Sequence, residues 1–333
     1  MLKIIVESHI PFIKGRLEPW AQVEYREAAD FTPATVYDAD ALVVRTRTRC
    51  VEALLKDSRV QFVGTATIGT DHIDLDYCAS HGITVANAPG CNAPAVAQWV
   101  HSIIGHWMKV RGVESTGDIT LGVVGVGHVG SIVVRWAREL GMNVLLCDPP
   151  RALREGPEGF CSYDELVSRS NIITYHTPYT HQGPFATRHL CDAAMLKKAV
   201  NCRLVMNASR GRVCENAALE RWHGDVAIDC WENEPDISLR LLQKAFVASP
   251  HIAGYSLEGK MRGTAMIIEA LNAHFGIAAE PPVVEAPTLG AQNVTMEAVM
   301  ASYNPLIDTA RLRLSPDTFE DQRQRYDLRH EVK

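Results

Sequence analysis

The chain has 333 residues, more than one hydrophobic core usually serves, so two domains are expected. Its 47% hydrophobic and 22% charged residues are ordinary for a globular protein, and a formal net charge of -6 leaves no basic excess to neutralise phosphates along a nucleic acid. No apolar run reaches membrane-spanning length, so neither a nucleic acid nor a membrane is an expected partner.

The opening MLKIIVESHIPF has one lysine and a short apolar run broken by Glu7 and His9, which suits a first strand better than a signal peptide. The nine cysteines are odd in number, show no CxxC spacing and sit mostly in apolar segments (Cys147, Cys202, Cys230). Reduced, buried thiols in the cytoplasm are the simplest reading, with neither a metal cluster nor a disulfide framework.

Residues 3–6, 41–44, 60–64 and 83–86 read as strands, with helical patterns at 51–56 and 75–81 between them. Such alternation predicts a parallel sheet with crossover helices. Residues 93–111 carry almost no charge before Lys109, and this helix is expected to be buried between domains as a connector.

Residues 121–148, LGVVGVGHVGSIVVRWARELGMNVLLCD, have the outline of strand, tight turn, helix and second strand. In a dinucleotide site Gly125 would make the turn, Gly127 would admit the pyrophosphate to the backbone, and Gly130 would let helix and strand pack closely. The helix start would offer its free N–H groups to the phosphates. Asp148, ending the second strand, has the position of the acid that binds the adenosine ribose, and its charge favours NAD over NADP. Further strands are expected at 171–175, 204–207 and 226–228, with a capping-box helix start at Ser162 and Glu165.

Three polar residues follow these later strands: Arg210 in NASRG, Glu234 in DCWENEP and His251 in SPHIAGYS. A guanidinium can grip a carboxylate with two parallel hydrogen bonds, and an imidazole can take a proton from a hydroxyl near neutral pH. Glu234 could fix the histidine's tautomer through its other ring nitrogen. Singly, each has an ordinary structural explanation: a surface ion pair, a turn acid beside Pro235, a strand-end histidine. Their shared place after strands of a nucleotide-binding sheet makes them a set.

Through GVVGVGHVG, the HTP of residues 176–178, NASRG, DCWENEP and PHIAG, the sequence resembles the D-isomer-specific 2-hydroxyacid dehydrogenases over residues 1–280. The segments FVGTATIGTDHID (62–74), APGCNA (88–93), CDPPRA (147–152) and HIAGYSLEGKMRGT (251–264) point to a subgroup acting on a small phosphorylated 2-hydroxy acid. The resemblance implies a Rossmann-type doubly wound domain at 94–257, a smaller discontinuous flavodoxin-like substrate domain at 1–93 and 258–281, and an extension at 282–333. It implies Arg210, Glu234 and His251 as catalytic residues. NAD contacts would fall on Gly125, Gly127, His128, Val129, Gly130, Asp148, Thr177, Ala208, Ser209, Asp229 and Gly254, and substrate contacts on Thr46, Thr67 and Tyr255. Two alternatives stay open: another D-2-hydroxyacid dehydrogenase such as a D-3-phosphoglycerate dehydrogenase, and a non-catalytic NAD-sensing scaffold or corepressor on the same fold.

The substrate phosphate needs cationic surroundings. In VVRTRTRC an extended backbone would place Arg45, Arg47 and Arg49 on one face, with Arg45 beside Thr46 the foremost candidate and Lys260 with Arg262 a second. A helix is expected at 259–275, a proline-containing linker at 281–290 and another helix at 296–303; the charged end DQRQRYDLRHEVK reads as a solvated face. The subgroup generally carries a longer C-terminal dimerisation region, so a homodimer is expected while this tail's part in it stays open.

Overall fold

The computed structural model describes residues 1–284 and 291–332. It contains two compact units, Met1–Asn92 with Ser256–Thr288, and Ala93–Tyr255 with Leu289–Lys333. Of the linker read at 281–290, residues 285–290 lie outside the described residues.

The first unit holds a five-stranded parallel sheet, β1 (Lys3–Glu7), β2 (Gln22–Arg26), β3 (Ala41–Val44), β4 (Phe62–Thr65) and β5 (Thr84–Ala86), in the order β2-β1-β3-β4-β5. This is the flavodoxin-like order. Ile4 to Val6 and all of β3 and β4 are buried, which is why they read as continuous apolar runs. The edge strand β2, QVEYR, is only half-buried and carries two charges, so periodicity did not reveal it. The helix Leu257–Phe275 buries Ile267, Ile268 and Leu271 in one cluster with Ile4, Val6 and Phe62. It ends on Gly276 in the left-handed conformation (φ 66°) that glycine adopts without steric cost.

The second unit holds six parallel strands, β6 (Thr120–Val124), β7 (Asn143–Cys147), β8 (Ile172–Tyr175), β9 (Leu204–Asn207), β10 (Asp225–Ile228) and β11 (Val247–Ala248), in the order β11-β10-β9-β8-β6-β7. The chain runs outward from β6 to β7 and then returns to the other side of β6 at β8, which makes the end of β6 a topological switch point. Register pairs Val124 with Cys147 and Tyr175, Tyr175 with Asn207, and Asn207 with Ile228, so the loops that follow leave from one edge of the sheet.

The helix Ala93–Arg111 belongs to this unit, with fifteen of its nineteen residues buried, and shares a core with the helix His128–Glu139 through Trp99, Trp107 and Trp136. Ser162 caps the helix Tyr163–Arg169 by accepting from the Glu165 N–H, as its sequence signal predicted. The C-terminal residues pack here as well. The helices Met296–Ser302, Pro305–Leu314 and Phe319–Gln324 bury Val299, Leu312 and Phe319, and Thr309 Oγ1 accepts from the Ala248 N–H of the edge strand β11 at 3.0 Å. Only the first of these helices was legible in the sequence. Among the described residues no helix is long and apolar enough to cross a membrane, and all nine cysteines are free.

Candidate active site

The glycine turn occupies the switch point. Gly125 has φ 88°, and a Cβ there would lie 2.7 Å from the His176 carbonyl oxygen; a Cβ on Gly130 would lie 2.1 Å from the Gly125 oxygen. Both positions exclude a side chain. Gly127 differs: its φ is -80°, it is exposed, and a Cβ would meet nothing within 4 Å. It opens the start of the helix His128–Glu139, whose first N–H groups at His128, Val129 and Gly130 have no partner within the helix. An anion such as a pyrophosphate fits that open cradle.

Asp148 does more than its predicted task. One carboxylate oxygen accepts from Val126 N at 2.8 Å and the other from Arg151 N at 2.9 Å, so it braces the glycine turn and caps the helix Pro149–Glu155. Each oxygen keeps a second lone pair for a ribose hydroxyl. Asp148 followed by two prolines is an N-cap signal that the sequence reading passed over. At the end of β8, His176 Nδ1 and Thr177 Oγ1 are buried without a hydrogen-bond partner. Unsatisfied buried polar atoms are costly, and a bound nucleotide would give them partners. Burial holds the His176 ring neutral, its pKa lowered to about 3.

Asn207 ends β9 and shapes the NASRG loop, a role not foreseen from the sequence. Its Oδ1 accepts from the N–H and Oγ of Ser209, and its Nδ2 donates to the Arg210 carbonyl. Ser209 is buried, Ala208 half-buried, and Arg210 half-buried with Nη1 donating to Ser209 O at 2.8 Å. A Cβ on Gly211 would lie 1.9 Å from the Trp231 carbonyl oxygen, so the loop bearing Arg210 presses against the loop that leads to Glu234.

Glu234 and His251 meet directly, Nδ1 to Oε2 at 2.8 Å, while Glu234 Oε1 accepts from Trp231 N at 2.7 Å. His251 has left-handed backbone (φ 56°), a costly conformation for a non-glycine residue. Asp229 sustains it. The His251 N–H donates to the Asp229 carbonyl, and the buried Asp229 carboxylate accepts from Ser249 Oγ and the N–H groups of Ile252 and Ala253. Asp229, expected as a cofactor contact, thus also holds the histidine loop in place. Gly254 and Tyr255 follow in that loop, where Tyr255 N donates to Ile252 O.

Burial disfavours the charged imidazolium, yet Cys230 and Glu234 outweigh it and hold the His251 pKa well above its usual value. Burial likewise pushes Glu234 up, and His251, with the Trp231 N–H and Arg323, more than offsets it, leaving the carboxyl below the usual range. With Nδ1 on Glu234, Nε2 is the nitrogen left for a substrate hydroxyl. Cys230, Glu234 and His251 each offer a ligand atom within 4.8 Å of the others, but Nδ1 and Oε2 are already joined and the thiol donates to Ser209 O.

In the first unit, Thr67 Oγ1 pairs with Thr65 Oγ1 at 2.7 Å. The RTRTR stretch corrects an expectation. It is a turn and not an extended strand, closed by Thr48 N on Arg45 O, because buried Glu7 accepts from both Arg45 N and Thr48 Oγ1. Thr46, Arg47 and Arg49 are exposed and Arg45 is half-buried, with Nη1 on the His9 carbonyl; the three arginines share no strand face. Arg262, the second phosphate candidate, is buried with Nε on Cys91 O. The tail corrects another: Asp321, Arg325 and Asp327 are exposed, but Arg323 and Arg329 fold inward against the histidine loop.

Residues 92–253 match the NAD binding domain of the D-isomer specific 2-hydroxyacid dehydrogenases. The chain is 42% identical over 342 residues to the erythronate-4-phosphate dehydrogenase of Bacteroides thetaiotaomicron, with 100% of this chain and 98% of that one covered. It is 40% identical to the Porphyromonas gingivalis enzyme of the same name, covering 100% and 94%, and 37% identical to that of Yersinia pestis, covering 99% and 86%. The D-lactate dehydrogenase from Aquifex aeolicus, solved with NAD and lactic acid, shares the fold at a TM-score of 0.68 and 23% identity, over 82% of this chain and 95% of that one. The family match and these full-length relatives make the protein an NAD-dependent oxidoreductase. The chain belongs to the D-isomer-specific 2-hydroxyacid dehydrogenase family, among the erythronate-4-phosphate dehydrogenases. The expected shortfall in length holds against the Yersinia pestis relative, 86% of which is covered, but not against the Bacteroides thetaiotaomicron relative, 98% of which is covered.

Proposed function

We propose that the protein oxidises 4-phospho-D-erythronate at its 2-hydroxyl, with NAD, to (R)-3-hydroxy-2-oxo-4-phosphooxybutanoate, a step that serves synthesis of the vitamin B6 cofactor. The observation that carries this reading is the Glu234–His251 pair, 2.8 Å apart, standing with Arg210 at the strand ends of a nucleotide-binding sheet. Arg210 grips the substrate carboxylate and orients C2. His251 Nε2 takes the hydroxyl proton as the C2–H bond gives up its hydride and the carbonyl forms, and Glu234 stabilises the imidazolium that results. Bound along the glycine turn, NAD supplies the hydride acceptor.

The cofactor contacts of this reading are Gly125, Gly127, His128, Val129, Gly130, Asp148, Thr177, Ala208, Ser209, Asp229 and Gly254; the substrate contacts are Arg45, Thr46, Thr67 and Tyr255. A homodimer in the cytoplasm completes it, a setting that suits nine free thiols. NAD reduction by 4-phospho-D-erythronate, 3-phospho-D-glycerate and D-lactate, compared under one set of conditions, tests the substrate; preference for either of the others rejects it. His251→Asn should lower kcat by about 100- to 10,000-fold while leaving NADH binding by fluorescence intact. Unchanged turnover would sink the mechanism.

A further inference from the structure

Two arginines of the C-terminal tail face the histidine loop, and they differ in what they have to do. Arg329 spends its guanidinium on the protein: Nε donates to Gln98 Oε1 at 3.0 Å, Nη1 to the carbonyls of Ile252 and Tyr255, and Nη2 to those of Ala95 and Ala253, with Cζ over the Tyr303 ring, 4.2 Å from its centre. Arg323 is largely enclosed, its side chain 15% exposed, yet among the described residues Tyr255 Oη is the single hydrogen-bond acceptor it meets, Nε to Oη at 3.2 Å. The nearest carboxylate, Glu320, lies 4.0 Å from Nη1. The hydrogen bond to Tyr255 places the guanidinium against the loop that carries His251, and its charge is also felt at Glu234 and Cys230. A largely enclosed cation whose carboxylate contact is as long as 4.0 Å keeps donors that an anion can take.

We propose that Arg323 and Tyr255 form an anion subsite that binds the substrate's phosphate, at the opposite end from the carboxylate held by Arg210. The inference rests on the reading of the substrate as a phosphorylated 2-hydroxy acid. A guanidinium presents paired N–H groups that match phosphate oxygens, and the Tyr255 hydroxyl, accepting from Nε, aims it.

The test compares wild type, Arg323→Gln, Arg323→Lys and Tyr255→Phe with 4-phospho-D-erythronate and with unphosphorylated D-erythronate. For Arg323→Gln, kcat/KM on the phosphorylated acid should fall by about 10- to 100-fold, mostly in KM, the range expected for losing a charge-assisted contact, with a much smaller change on the unphosphorylated acid. Arg323→Lys should recover part of the loss and Tyr255→Phe should show a milder form of it. Equal loss on both acids, or no loss, overturns the proposal.

A second measurement needs no turnover. Inorganic phosphate at matched ionic strength should raise the melting temperature of NADH-loaded wild type more than that of Arg323→Gln, and equal shifts overturn the subsite. Wild type that ignores 4-phospho-D-erythronate yet shows the Arg323-dependent phosphate shift would reject the substrate and keep the subsite.

Discussion

At the scale of single residues, the site turns on how His251 keeps and gives up its proton. The groups that face the ring are Glu234 on Nδ1, Cys230, the buried Asp229 and, through Glu234, Arg323. Their balance raises the histidine's pKa above 6.5, so the free enzyme keeps the ring charged past the pH where an ordinary histidine is neutral. Oxidation needs the neutral ring. Its kcat/KM should therefore rise with pH along a limb centred above about 6.5, while reduction of the 2-oxo acid should fall over the same range. Glu234→Gln removes an attractive charge and leaves burial less opposed, so the limb should move to lower pH as the maximum rate drops. A pH profile of the variant with its limb in place would reject Glu234 as the source of the shift. Arg210, Glu234 and His251 were legible because each is a polar residue in the loop that follows an apolar strand. Asn207 could have been found by the same rule, whereas Arg323 had no such signal: its role depends on tertiary packing of a tail without clear periodicity.

At the scale of elements, the strand, turn and helix of residues 120–139 separate two kinds of glycine. Gly130 is needed for the fold, because a methyl group there would sit 2.1 Å from the Gly125 oxygen and push the helix off β6. Gly130→Ala should cost about 1–3 kcal/mol or more as an overpacking change, seen as a lower melting temperature with or without cofactor. Gly127 is needed for the ligand. With φ at -80° and open space before it, alanine is accepted by the backbone and its methyl enters the cradle where the phosphates would lie. Gly127→Ala should melt close to wild type and bind NADH at least about tenfold more weakly, the loss of one good anion contact. Fluorescence titration beside a melting curve checks both, and a reversed pattern would remove the turn from the cofactor site.

The same contrast explains what could be read at this scale. Buried strands and the helix Ala93–Arg111 announce themselves by nearly uncharged apolar content, the helix Leu257–Phe275 by the helical spacing of its apolar residues, and the glycines by their spacing. The edge strand β2 and the short helices after residue 304 carry mixed sequences, since each shows one face to solvent over too few residues for a period to emerge.

At the scale of the whole molecule, the chain is two parallel sheets whose segments interleave in sequence, and the last forty residues are not an appendage to them. From Ala291 to Val332 the tail contributes Val294, Val299, Tyr303, Leu312, Phe319 and Val332 to the cores of the second unit. Arg329 then ties that packing to the loop that carries His251. Replacing it with methionine keeps much of the volume but strips the donors from the carbonyls of Ala95, Ile252, Ala253 and Tyr255. Unsatisfied buried acceptors cost about 1–3 kcal/mol each, partly relieved by relaxation, so Arg329→Met should lose roughly 2–4 kcal/mol in denaturant unfolding. Turnover should fall with it, because the loop that fixes the His251 backbone at φ 56° loses a support. The loss should be the same for phosphorylated and unphosphorylated acids, since Arg329 has no donor left for a ligand. Stability and turnover both unchanged would show that Asp229 alone holds the loop, and a loss confined to the phosphorylated acid would move the anion contact from Arg323 to Arg329.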